Sequence, residues 1–206
     1  MHGGRTPKQA RSDLTRSQIL DVALGEFSLR GFDAVSLREI ADKVGVNHAL
    51  IRYYFGNKDN LWRESAAHLF GKLVAENSIV SLPVHMTPRE KVETFLRGYI
   101  RYCARHPEHA RLMVQESNRQ SERLEWVAEN YVRPLQERVI PFLEQLMDEG
   151  VLPKMDPVIL LYMISALAQI PYLLTAEINT LYDRDVMARE NIDAHVDAAI
   201  KLLFRD

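Results

Sequence analysis

If residues 47–55 are helical, His48, Ala49, Arg52 and Tyr53 fall on one side of the helix, and Leu50, Ile51 and Phe55 fall on the other. The first set has uses at the edge of a base pair. An arginine guanidinium can donate a bidentate pair of hydrogen bonds to guanine, and an alanine admits close approach or touches a thymine methyl. His48 and Ala49 stand at the helix start, the end that recognition helices insert into a major groove. Lys58 adds a second kind of chemistry. It falls in the first turn of the next helix, where the helix dipole makes a cation mildly unfavourable, so stability does not account for it. Beside the free backbone N–H groups of that turn, its ammonium makes a phosphate site. Base reading by one helix and phosphate gripping by the next are the two parts of duplex recognition.

Local sequence supplies the elements that position these groups. Ser36 and Glu39 have the S-x-x-E spacing of a reciprocal capping box, which opens a helix whose Leu37, Ile40, Ala41 and Val44 share an inward face. Gly45 can take the left-handed conformation that ends this helix, and Asn47 is a good N-cap for the next. Together they spell a helix-turn-helix over about residues 36–55. Tyr53 and Tyr54 are adjacent and cannot share a helical face. Tyr53 is expected to meet the groove, and Tyr54 to pack inward with its hydroxyl reaching phosphate. The candidate DNA contacts are therefore Arg38, Asn47, His48, Ala49, Arg52, Tyr53, Tyr54 and Lys58.

Ser36, Ile40, Ala41, Gly45, Val46, Asn47, Tyr54, Phe55, Asn57, Lys58, Asp59 and Leu61, preceded by Ile19, Ala23, Phe27 and Gly31, form a pattern that resembles the TetR family of bacterial transcriptional regulators. The match covers the N-terminal third of the chain. Asn47 replaces the family's usual serine, and Arg52 stands where many members carry tyrosine, so the operator sequence does not follow by analogy. The resemblance implies an N-terminal three-helix DNA-binding domain and a larger helical domain that binds a small effector and dimerises. It further implies a repressor acting on a palindromic double-stranded DNA operator, with Lys58 on phosphate.

At 206 residues and 47% hydrophobic, the chain can bury a sizeable core in one or two domains. The single cysteine, Cys103, excludes an intrachain disulfide and a cysteine-built metal site, and it suits a reducing cytoplasm. Residues 1–12 are rich in Gly, Arg and Lys without the apolar run of a secretory signal, so a cytoplasmic location is expected. The net charge of -2 argues against an all-over nucleic-acid binder. Its distribution is uneven: ten Lys and Arg face seven Asp and Glu through Arg63, against sixteen and twenty-one beyond it. The positive portion is the one that holds the helix-turn-helix.

Residues 1–14, with Arg5, Lys8 and Arg11, read as a flexible basic arm to which Arg16 adds charge. Residues 15–60 read as the DNA-binding domain, its first helix running from Thr15 to Arg30 and closed by Gly31. Residues 61–80 read as a connecting helix, broken in the stretch 81–88, and 81–206 as the effector-binding and dimerisation domain. Within it, Pro134 and Pro141 are expected to interrupt a helical tract from Ser121 to Glu149, and a last helix is expected near Asp185 to Phe204. Val158 to Leu174 has only Ser165, Gln169 and Pro171 outside the hydrophobic set, so this helix needs cover on every side. It is too short for the roughly 20 residues that span a bilayer, and no membrane partner is expected.

Leu161, Ser165, Ala168 and Tyr172 of that helix, with Ile192, Val196, Ile200 and Leu203 of the last, are assigned to a two-fold, four-helix interface of a homodimer. Phe95, Tyr99, Met113, Trp126, Tyr131 and Met163 are the candidates to line a cavity for an apolar or amphipathic effector, because methionines and aromatics suit adaptable pockets. Against an enzyme stand the lack of a phosphate-binding glycine loop, a nucleophile motif and paired carboxylates on a shared face. His106 and His109 have i, i+3 spacing but no accompanying E-x-x-H or H-E-x-x-H unit, so no metal or other cofactor is expected. Glu64 and His68 read as a surface pair. The sequence points to an all-α, two-domain DNA-binding regulator. It does not separate repression from activation, which depends on where the operator lies, and an effector-independent regulator satisfies the same residues.

Overall fold

The computed structural model describes residues 7–77, 83 and 85–204, the side chains of residues 7–11 excepted, and every regular element among them is helical. Helices α1 (Pro7–Arg30) and α4 (Lys58–Glu76) form the long walls of the N-terminal part, with the short α2 (Leu37–Val44) and α3 (His48–Phe55) laid against them. Periodicity decides what is inside: Ile19, Ala23 and Phe27 of α1, Ile40 of α2, Ile51 and Phe55 of α3, and Leu61, Trp62 and Leu69 of α4 share one buried cluster. Leu112 and Val127 join it from beyond the connecting helix, so C-terminal residues seal the N-terminal core.

The first helix starts earlier than expected. Among the described residues it runs from Pro7, and Thr15 lies in its interior. Residues 7–14 are therefore helix and not a flexible arm; Arg5 and residues 81, 82 and 84 of the break at 81–88 lie outside the described residues. Arg16 is also removed from any arm, since its guanidinium pairs with the Glu64 carboxylate and lies over the Phe55 ring. The expected Glu64–His68 pair is absent for the same reason, His68 binding Asp21 at 2.9 Å instead.

The C-terminal part comprises α5 (Pro88–Arg105), α6 (Glu108–Arg119), α7 (Glu122–Val127), α8 (Arg133–Asp148), α9 (Pro157–Leu173), α10 (Thr175–Tyr182) and α11 (Arg189–Leu203). A single π turn, Ala128–Val132, joins α7 to α8. The expected proline breaks take another form. Pro134 sits in the first turn of α8, directly after the π turn through which the helix runs on, and Pro141 is carried inside α8 on its solvent side. α10 was not foreseen in the sequence, and α11 starts at Arg189, four residues after Asp185.

The interface assignment needs correction. Leu160, Ile164, Ala168 and Tyr172 form the buried ridge of α9, packed on α5 and α8. Val196 and Ile200 of α11 turn to α5, and ion pairs Arg97–Asp197 (3.2 Å) and Arg101–Asp193 (2.8 Å) tie the edges of that seam. Ala168, Tyr172, Val196 and Ile200 thus belong to the core of a single chain, with Ile192 and Leu203 packed against it. Leu161 and Ser165 turn to a cavity between the helices. Nor is α9 covered all round within one chain, for Ile159, Tyr162, Met163 and Ile170 are exposed. A helix that is apolar on every side carries no phase information, so packing chose the buried ridge.

Candidate nucleic-acid interface and internal cavity

The helix-turn-helix forms from the local signals that specify it. Ser36 Oγ accepts from the Glu39 backbone N–H at 3.2 Å and Glu39 Oε2 accepts from the Ser36 N–H at 2.8 Å. Those hydrogen bonds, with the Arg30 guanidinium, hold the Glu39 carboxyl down at about 2. Gly45 adopts φ 77° and donates its N–H to Ala41 and Asp42, a left-handed stop that a β-carbon would strain. Asn47 then caps α3 by accepting from the Ala49 N–H at 2.8 Å.

On α3, Ile51 and Phe55 are buried while Ala49, Arg52 and Tyr53 point to solvent, Tyr53 with 81% of its surface free. His48 is half-buried beside them, and Arg38 is exposed on α2. Neither Arg38 nor Arg52 has an ion-pair partner among the described residues. Tyr54 packs inward, but its hydroxyl is engaged with Ser12 Oγ at 2.8 Å. Arg30 of α1 and Lys43 of α2 are paired within the domain: both bind Glu26, whose carboxyl they hold below its ordinary value. Lys58 takes the first turn of α4 as its sequence position implies, with Nζ donating to the Asp33 carbonyl at 3.3 Å and lying 4.4 Å from the Phe32 ring centre. An ammonium has three donors, so two remain free.

The second feature is a cavity of about 500 Å³ lined by α4, α5, α6, α8 and α9. Of the residues expected to line it, Phe95, Tyr99 and Met113 do. Trp126 and Tyr131 instead build the seam between the two parts of the chain, Trp126 edge-on to Trp62 and Tyr131 stacked on Phe70 at 5.0 Å. Met163 lies on the exposed side of α9. Their aromatic or flexible character could not distinguish a cavity wall from a seam. Leu73 and Val74 of α4, Asn77 at its C-terminal end and His109 of α6 were missed, because their place follows from the packing of α4 on α5 and of Phe70 on His109.

The cavity wall is mainly apolar, with Asn77 Nδ2 buried there without a hydrogen-bond partner among the described residues. Gln169 Nε2 donates to the Tyr99 hydroxyl at 2.6 Å. His109 Nδ1 is 2.9 Å from the Tyr102 hydroxyl, and burial pushes the imidazole down to about 4, so it is neutral at physiological pH. His106, by contrast, faces outward to Glu76 and Glu108 at 3.1 and 3.0 Å. Among the described residues lining the cavity, Arg138 is the one that carries a charge.

Comparison with known proteins bears on both features. The family model described as bacterial regulatory proteins, tetR family, matches residues 19–64, and that of the tetracyclin repressor-like C-terminal domain matches residues 88–203. The chain belongs to the TetR family. It is similar to the HTH-type transcriptional regulator BetI of Rhizobium meliloti, 30% identical over 142 residues that cover 68% of this chain and 70% of that one. Two solved structures share the fold at a TM-score of 0.69. One is the ketosteroid transcriptional regulator KstR2 of Mycobacterium tuberculosis, at 18% identity over 93% of this chain and 95% of that one. The other is AibR in complex with isovaleryl coenzyme A and operator DNA, at 16% identity over 92% and 98%. This TetR-family chain is a DNA-binding transcriptional regulator and not an enzyme. Among the described residues, no single helix is long and apolar enough to cross a membrane.

Proposed function

We propose that this protein is a cytoplasmic, ligand-responsive repressor that binds a palindromic operator as a homodimer. The carrying observation is that α6 has two engagements: Met113 and Val114 line the cavity, while Gln115 and Arg119 touch the α1–α2 turn of the DNA-binding part. Occupancy of the cavity therefore has a mechanical route to the DNA-binding part. AibR, of the same fold, has been seen with an acyl-coenzyme A and operator DNA together. The residues assigned to base reading are Arg52, Tyr53, Ala49 and His48, with Lys58, Arg38, Asn47 and Tyr54 at the backbone.

The cavity chemistry favours an effector with an uncharged apolar body. Among the described residues no carboxylate or lysine lines the wall, so a buried ligand charge would lie unpaired except beside Arg138. The dimer is assigned to the exposed face of α9, Ile159, Tyr162, Met163 and Ile170, continued by Leu202 of α11. Two recognition helices related by a two-fold axis then address half-sites about 34 Å apart.

Selection from randomised duplex DNA tests the central reading and is expected to return a palindrome. On the selected duplex, Lys58→Ala should lower affinity about tenfold and reduce the salt slope by about one unit. Unchanged affinity and slope in a titration across salt would take Lys58 off the phosphate. For the ligand response, compounds found by thermal shift must weaken operator binding by the factor by which operator weakens theirs. Binders that leave operator affinity untouched would reduce the cavity to a structural feature.

A further inference from the structure

We infer that Arg119 of α6 and Arg123 of α7 are positioning residues for DNA binding: through Asp33 and Phe32 they hold the seat from which Lys58 meets phosphate. This rests on the reading of Lys58 as a phosphate ligand. The seat is the turn between α1 and α2. Its Asp33 is bound twice, the carbonyl accepting from Lys58 Nζ at 3.3 Å and the carboxylate accepting from Arg119 Nη1 at 3.0 Å. Its Phe32 is also contacted twice, with Lys58 Nζ 4.4 Å and the Arg123 guanidinium 3.9 Å from the ring centre. Arg123 is fixed from behind by an ion pair with buried Glu116 at 3.3 Å.

The turn is fitted closely to α6. Gln115 Nε2 donates to the Ser28 carbonyl, and a β-carbon on Gly31 would stand 2.8 Å from both Arg119 Nη2 and Gln115 Oε1. Gly31 thus lets the turn approach the two side chains, besides supplying its own φ of 81°. Lys58 is a long, flexible side chain, and ordering it in advance removes an entropy cost from phosphate binding. The same α6 presents Met113 and Val114 to the cavity, so a shift of this helix moves Arg119, and with it the support of Lys58.

Stability and binding are expected to part company at this site. The Arg119 and Asp33 side chains are 41% and 79% exposed, and an ion pair that open to solvent contributes little to folding. Arg119→Ala should melt close to the wild type yet bind the selected operator about fivefold more weakly, a coupling of the size neighbours commonly show. Its salt slope should fall toward that of Lys58→Ala, and Arg119→Lys should restore most of the affinity. The double variant Arg119→Ala/Lys58→Ala should bind no worse than Lys58→Ala alone. Additive losses in this cycle, or an Arg119→Ala protein that binds as the wild type does, would overturn the proposal while leaving Lys58 on phosphate. If Lys58→Ala itself leaves affinity and slope unchanged, the phosphate reading falls and the seat falls with it.

Discussion

A chain carrying Ile159→Asp and Met163→Asp is expected to sediment as a monomer and to lose operator affinity by about 100-fold or more, the scale set by giving up bivalent binding. The two residues are one helical turn apart on α9 and are 58% and 56% exposed in the single chain. Carboxylates there are fully solvated before association, so the fold should be undisturbed. In a helix–helix seam between copies they would be stripped of water without a cation to pair with, which disfavours association strongly. Each half of the palindrome would then be bound independently. Sedimentation velocity and an operator titration read the two effects together, with far-UV circular dichroism confirming the helix content. A stable dimer from this variant would place the two-fold contact elsewhere on the molecule.

Val196→Asp should do the opposite, destabilising the fold by about 3–5 kcal/mol, the range seen when a buried charge is left uncompensated. That is a large share of the roughly 5–15 kcal/mol by which domains of ordinary size are stable. Val196 is completely buried between α11 and α5, among residues that include Val92, Leu96 and Ile100 of α5. Leu202→Asp provides the comparison on the same helix when both variants are unfolded as monomers, since Leu202 is 67% exposed in the single chain and should tolerate the change as regards folding. Urea unfolding of both variants measures the difference. A Val196→Asp protein that keeps wild-type stability but becomes monomeric would return this stripe of α11 to the interface.

The DNA-binding elements were legible because their signals are local. Ser36 and Glu39 close a ring of hydrogen bonds three residues apart, Gly45 turns the chain by its own conformational freedom, and Asn47 caps within two residues. Such signals do not depend on what packs above them. The same holds for the outward set Ala49, Arg52 and Tyr53, whose direction follows once Ile51 and Phe55 are buried. The cavity was legible only in part. Phe95, Tyr99 and Met113 reach it, but Trp126 and Tyr131 have the same chemistry and went to the seam with Phe70 and Trp62.

By itself, then, the sequence determined an all-helical chain, the helix-turn-helix, the residues it turns outward and the family to which the chain belongs. Tertiary structure decided which ridge of α9 is buried, which helices wall the cavity and what supports Lys58. The physical reason lies in range and symmetry. Capping and turn energies act over a few residues and favour one local conformation. On α9, rotation about the helix axis exchanges one apolar face for another, and only the sum of many weak contacts with α5 and α8 settles the choice. The seat of Lys58 is likewise a meeting of residues 32–33 with 58, 119 and 123, made by folding and written in no single stretch of the chain.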